Sequence, residues 1–173
     1  VLGKATDFII RYIEAYKKVG ANGVVIAEPL AGLMSPSLAE EFSVAYMRKI
    51  VQAVQDDSFL VIYHNCGNYT IQQIDDILTI GAGMYHFGNA IDMAEMMKHI
   101  PAGILAGGNV DPAGQFRNGT VDSIKAETKE IMGKCCQYPN FVISSGCDIP
   151  PMSKWENIDA FFQAAAEFYR DAR

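Results

Sequence analysis

Apolar residues recur along this chain in two rhythms, stretches at helical spacing and short unbroken runs, and the two alternate five times. Phe8, Ile9, Tyr12, Ile13 and Tyr16 share one face of a helix predicted over residues 6–19, with Gly20 as its stop. The run at 23–27 then reads as a buried strand ending at Glu28. A long helix over 37–54, capped by Ser37, turns Phe42, Ala45, Tyr46, Ile50 and Val54 inward. Strand 59–63 leads to His64, helix 70–78 follows, and a weaker strand covers 84–87. Helix 91–99, strand 103–106, helix 121–136, strand 141–145 and helix 155–169 complete the series. No linker, low-complexity tract or further repeat interrupts it.

Short apolar strands separated by helices imply a parallel sheet with both faces covered. A doubly wound sheet and a piece of a (β/α)8 barrel both satisfy the pattern, and both place chemistry at the carboxyl ends of the strands. That end collects Glu28, His64, Cys66, His86, Asn89, Asn109, Asp111 and Cys147. His64 and Cys66 follow one strand and Cys147 follows another, so one imidazole and two thiolates form a three-ligand zinc set with a fourth position open. Glu28 reads either as an extra ligand or as a cap on the next turn. Asn109 and Asp111 read as a turn, with Asp111 capping the helix that Pro112 starts, or as site lining. His86 and Asn89 stand at a strand end, as satisfied polar groups or as contacts to metal or substrate. Cys135 and Cys136 lie late in a helix with side chains about 100 degrees apart, which suits core packing better than a redox pair. Met93, Met96 and Met97 also fall at core spacing, and His99 reads as solvated.

Composition narrows the function. With 173 residues, half of them hydrophobic, the chain can bury one substantial core, and residues 1–173 read as one domain. The net charge of −6 argues against nucleic acid. No apolar stretch approaches the roughly 20 residues of a membrane helix, and no signal segment opens the chain. Four cysteines are better read as ligands and core thiols in a reducing cytoplasm than as disulfides.

The stretch Gly20-Ala-Asn-Gly-Val-Val-Ile-Ala-Glu-Pro-Leu-Ala-Gly-Leu-Met-Ser-Pro36, the turn Gly108-Asn-Val-Asp-Pro112 and the segment Gly146-Cys-Asp-Ile-Pro-Pro151 resemble the uroporphyrinogen decarboxylase superfamily. The His-x-Cys pair with the late cysteine resembles its zinc-dependent methylcobamide:coenzyme M methyltransferase branch. The resemblance implies a (β/α)8 TIM barrel of which this chain is the carboxyl-terminal part. It implies Zn2+ on His64, Cys66 and Cys147, and methyl transfer from a methylcobamide carried by a corrinoid protein to a small thiol such as coenzyme M. Methanogenic one-carbon metabolism would be its setting, and homocysteine or a folate are alternative partners in the reaction. Uroporphyrinogen decarboxylation is the competing expectation. Against it, Pro29 stands where the decarboxylases carry a substrate-binding serine, and Cys147 stands where they carry a histidine. The chain also departs from the methyltransferases, with no carboxylate between His86 and Asp92 where that branch has acidic residues. Five strands cannot close a barrel of roughly 250 residues, so the chain is expected to belong to something longer, to self-associate and to be weak or inactive alone.

Overall fold

Helices and strands alternate as the hydrophobic pattern requires in a computed structural model that describes residues 1–171. The strands are β1 (Gly23–Ala27), β2 (Leu60–Asn65), β3 (Met84–Phe87), β4 (Leu105–Val110) and β5 (Phe141–Ser145). They form one sheet in the order β1-β2-β3-β4-β5. Strand order follows chain order without reversal. A doubly wound sheet needs a reversal to make its switch point, so the order selects the barrel-type arrangement.

Residues Val1–His86 make one compact unit. β1 and β2 pair in parallel with Gly23 opposite Leu60 and Ala27 opposite His64. Helix α1 (Leu2–Lys18) starts four residues earlier than the periodicity predicts and packs on α3 (Ala45–Val54). Lys17 fastens the two ends together, donating to the Val54 carbonyl at 2.8 Å and pairing with Asp56 at 2.5 Å. The buried residues of α1 are Thr6 and Ile13, whereas Phe8, Tyr12 and Tyr16 are exposed. The shared apolar face predicted for this helix is therefore only partly covered. The apolar stripe is wider than the contact, and its aromatic edge lies outside, where the Tyr12 and Tyr16 hydroxyls meet at 3.0 Å.

The predicted 37–54 helix is three pieces: α2 (Pro36–Ala39), a π-helical turn (Glu40–Val44) and α3. Its cap is Ser35, not Ser37. Ser35 accepts from Leu38 N at 3.4 Å, and Pro36 occupies the first helical position, where a missing N–H costs nothing. The wide turn shifts the helix phase, so Val44, Met47, Ile50, Val51 and Val54 are buried while Phe42 is exposed. A 3-10 turn at Thr70–Gln73 leads into α4 (Ile74–Leu78).

The second unit runs from Phe87. β4 and β5 are parallel, with Ala106 opposite Phe141 and Val110 opposite Ser145. β4 begins two residues later than predicted and ends four residues later, because Gly107 and Gly108 break the apolar pattern without breaking the backbone ladder. Gly108 has a left-handed φ of 144°, and a Cβ there would stand 2.5 Å from the Phe87 carbonyl oxygen. Helix α5 (Met93–Met97) is shorter than the predicted 91–99 because Asp92 caps it, accepting from Ala94 N at 2.8 Å. Helix α6 (Val121–Cys135) starts at a reciprocal Thr120–Ser123 capping box and packs on α7 (Trp155–Asp171). Val110, Phe116, Ile124, Ala160 and Phe161 form a core beneath them. Cys135 is buried, and desolvation pushes its thiol up to about 11, so it is a packing residue. Among the described residues no helix is long and apolar enough to cross a membrane.

Candidate metal centre

Each predicted ligand stands at or just past a strand carboxyl end, where pairing stops and side chains are released from the ladder. His64 is the penultimate residue of β2 and is 5% exposed. Its carbonyl accepts from Glu28 N at 2.9 Å, extending the β1–β2 pairing one residue further. Its Nδ1 lies 2.7 Å from Nδ1 of His86 and 3.2 Å from the His86 carbonyl oxygen.

Cys66 sits on a turn fixed from both sides. Asn65, fully buried, donates through Nδ2 to the Tyr63 hydroxyl at 3.1 Å. Its Oδ1 accepts from Gly67 N at 3.0 Å and from the Thr70 hydroxyl at 2.9 Å. The loop after β1 closes against the same turn. A Cβ on Gly32 would come within 2.5 Å of the Gly67 Cα, so these two backbones approach as only glycines allow. Gln73, also buried, ties that loop down by donating to the carbonyls of Ala31 at 3.2 Å and Met34 at 2.7 Å.

Glu28 follows β1 and accepts a short hydrogen bond from Ser43 in the π-helical turn. Burial raises its carboxyl above the ordinary range, and the serine bond opposes this in part. An acid whose folded pKa is raised contributes fully to stability below its unfolded pKa and loses that contribution as pH rises through the folded value. Glu28→Gln keeps the acceptor for Ser43 and removes the charge. Denaturant titrations should therefore show the variant equal to the parent in acid and more stable at neutral pH, and a parent that is the more stable at neutral pH would contradict this.

In the second unit, Cys147 follows β5 on a turn set by Gly146 N donating to the Val110 carbonyl at 2.7 Å and by the Ser145 hydroxyl donating to the Cys147 carbonyl at 2.8 Å. Asn109 is buried with its amide spent on the carbonyls of Gly88 at 3.1 Å and Ile91 at 2.9 Å. Asp111 caps the π-helical turn Pro112–Arg117, accepting from Ala113 N and Gly114 N at 2.9 Å each. Asn89 is exposed, and with Asn109, Asp111 and Glu127 it lines a cavity of about 380 Å3.

The ligand atoms of His64, Cys66 and Cys147 all lie within 4.8 Å of one another. Tetrahedral zinc with bonds of about 2.0–2.3 Å spaces its ligand atoms roughly 3.5–3.8 Å apart, which lies inside the 4.8 Å limit of this set. Soft sulfur donors with one imidazole suit zinc better than magnesium or calcium. Sequence reasoning passed over Asn65, Ser43 and Gln73. For Asn65 a signal was present, since an asparagine two residues before a glycine is the pattern of a side-chain-closed turn.

A parallel sheet of sequential strands with soft metal donors at its carboxyl edge defines a barrel-type enzyme architecture. The chain belongs to the uroporphyrinogen decarboxylase family, whose description matches residues 1–168. Among its relatives, the methylcobamide:CoM methyltransferase MtaA of Methanosarcina barkeri is 30% identical over 172 residues, covering 95% of this chain and 47% of that protein. The methylcobamide:CoM methyltransferase MtbA of Methanosarcina mazei is 24% identical over 170 residues, with 97% and 48% covered. A uroporphyrinogen decarboxylase of Prochlorococcus marinus is 26% identical over 167 residues, with 95% and 46% covered. A solved methyltransferase from Methanosarcina mazei superposes with a TM-score of 0.83 at 30% identity, over 95% of this chain and 48% of its own. The chain thus spans about half the length of these relatives and forms part of a (β/α)8 barrel. Both activities occur among relatives of comparable identity.

Proposed function

We propose that this chain carries the zinc-binding part of a methyltransferase that moves a methyl group from a methylated corrinoid protein to a small thiol of the coenzyme M type. The observation that supports this reading is the donor set: one imidazole and two thiols with ligand atoms within 4.8 Å of one another. The methyltransferases among its relatives, named for methylcobamide and CoM, support it further.

His64, Cys66 and Cys147 would hold the ion. Zinc bound there lowers the pKa of a substrate thiol enough to make it a thiolate at neutral pH. Two thiolates and a neutral imidazole offset the 2+ charge, so they leave electron density on the substrate sulfur for attack instead of drawing it away. Oxygen and nitrogen ligands, as in zinc hydrolases, would leave a positive centre suited to acidifying water. The transfer forms an S–CH3 bond and breaks the Co–CH3 bond, the electron pair stays on cobalt as Co(I), and the thiol proton leaves to solvent.

The reading is tested by adding coenzyme M to the zinc-loaded protein. Calorimetry in buffers of different ionisation enthalpy should find about one proton released per thiol bound. X-ray absorption at the zinc edge should gain a third sulfur. Thiol binding without proton release and without a new sulfur neighbour, or turnover of uroporphyrinogen by this protein, would overturn it.

A further inference from the structure

We propose that His86 is a positioning residue for the metal ligand His64: it accepts the Nδ1 proton of His64 and so leaves the Nε2 lone pair of His64 as the donor to zinc. The inference rests on the zinc reading above.

Two ring nitrogens 2.7 Å apart share one proton, so one imidazole donates and the other accepts. The carbonyl of His86 decides which. It lies 3.2 Å from the same His64 nitrogen, and a carbonyl oxygen can only accept. A proton on His64 Nδ1 serves both the ring nitrogen and the carbonyl of His86. A proton on His86 Nδ1 instead would leave the His64 lone pair facing the carbonyl lone pairs, with no hydrogen between them. The first arrangement is the lower in energy by a charge-free, purely geometric argument. It makes His64 the Nδ1–H tautomer, and it puts the remaining proton of His86 on its own Nε2.

Metal-bound histidines commonly donate their other ring N–H to an acceptor that fixes ring orientation, and loss of that acceptor weakens the site. Here β3 supplies two acceptors from one residue, a backbone carbonyl and a ring nitrogen. The two rings sit 4.8 Å apart at 51°, so the contact is edge-directed and not a face-to-face stack. The burial of His64 keeps water from competing for the same proton.

The chain has three histidines, His64, His86 and His99, so ring-nitrogen NMR resolves each one, with His99→Gln to assign the third. In the metal-free protein, His64 should carry its proton on Nδ1 and His86 on Nε2. Zinc affinity, read by competition with a chromophoric chelator, should fall about 10–100-fold in His86→Leu. His86→Asn, whose Oδ1 stands near the lost Nδ1, should recover most of that loss. A His64 proton on Nε2 in the metal-free protein overturns the inference, and so does a folded His86→Leu that binds zinc as the parent does. Failure of the parent to bind zinc, with the His64 tautomer as stated, defeats the metal reading and leaves the proton placement standing.

Discussion

Cys147→Ala lowers zinc affinity by about a hundredfold or more, on the reasoning that a four-ligand zinc site binds with roughly 10–16 kcal/mol and each thiolate carries a large share. X-ray absorption should show the sulfur count at zinc falling from two to one, while far-ultraviolet circular dichroism stays unchanged. The fold should survive because the Cys147 turn is held by backbone atoms, the Gly146 amide and the Ser145 hydroxyl among them. Two sulfurs retained at zinc in the variant would remove Cys147 from the site. Zinc lost together with helical signal would make the residue a structural one instead.

The second large effect is expected at a residue that touches no metal. Asn65→Ala leaves the buried Gly67 amide without its acceptor and takes one partner each from the Tyr63 and Thr70 hydroxyls, which keep Ser43 and the Gly67 carbonyl. One unsatisfied buried amide costs about 1–3 kcal/mol and each further lost hydrogen bond about 0.5–1.5 kcal/mol, so a loss of roughly 2–4 kcal/mol in unfolding free energy is expected. Asn65→Asp should lose less, because it keeps the acceptor for Gly67 and Thr70 and gives up only the bond to Tyr63. Equal stability of Asn65→Ala and the parent in urea titrations would show that the turn is held by the Gly32–Gly67 approach and not by this side chain.

What the sequence disclosed, and what it hid, follows from where information resides in a chain. Strand positions are carried by unbroken apolar runs, and Gly23–Ala27 and Phe141–Ser145 were legible to the residue. The places of His64, Cys66 and Cys147 at strand ends were legible because histidine and cysteine directly after such runs are chemically conspicuous. β4 was misplaced because glycine contributes nothing to a hydrophobic pattern although its backbone pairs as well as any other. The π-helical turn at Glu40–Val44 left no mark at all, since widening one turn changes phase and not composition. That slip misassigned Phe42 and hid Ser43, whose contact with Glu28 depends on the altered phase. The exposed aromatics of α1 mark another limit: periodicity shows which residues share a face and not how much of that face another element covers.

The close approach of Gly32 and Gly67 bears on how an ion would load at the proposed centre. With no side chains between them, the loops after β1 and β2 meet backbone to backbone, and Tyr69 N donates to the Gly32 carbonyl at 3.1 Å as a further stitch. The thiol of Cys66 therefore rides on a piece of chain that is already ordered before any ion arrives. An ion bound as proposed would spend little of its binding energy on arranging this turn, and its uptake there would turn on deprotonation of the Cys66 thiol instead of refolding.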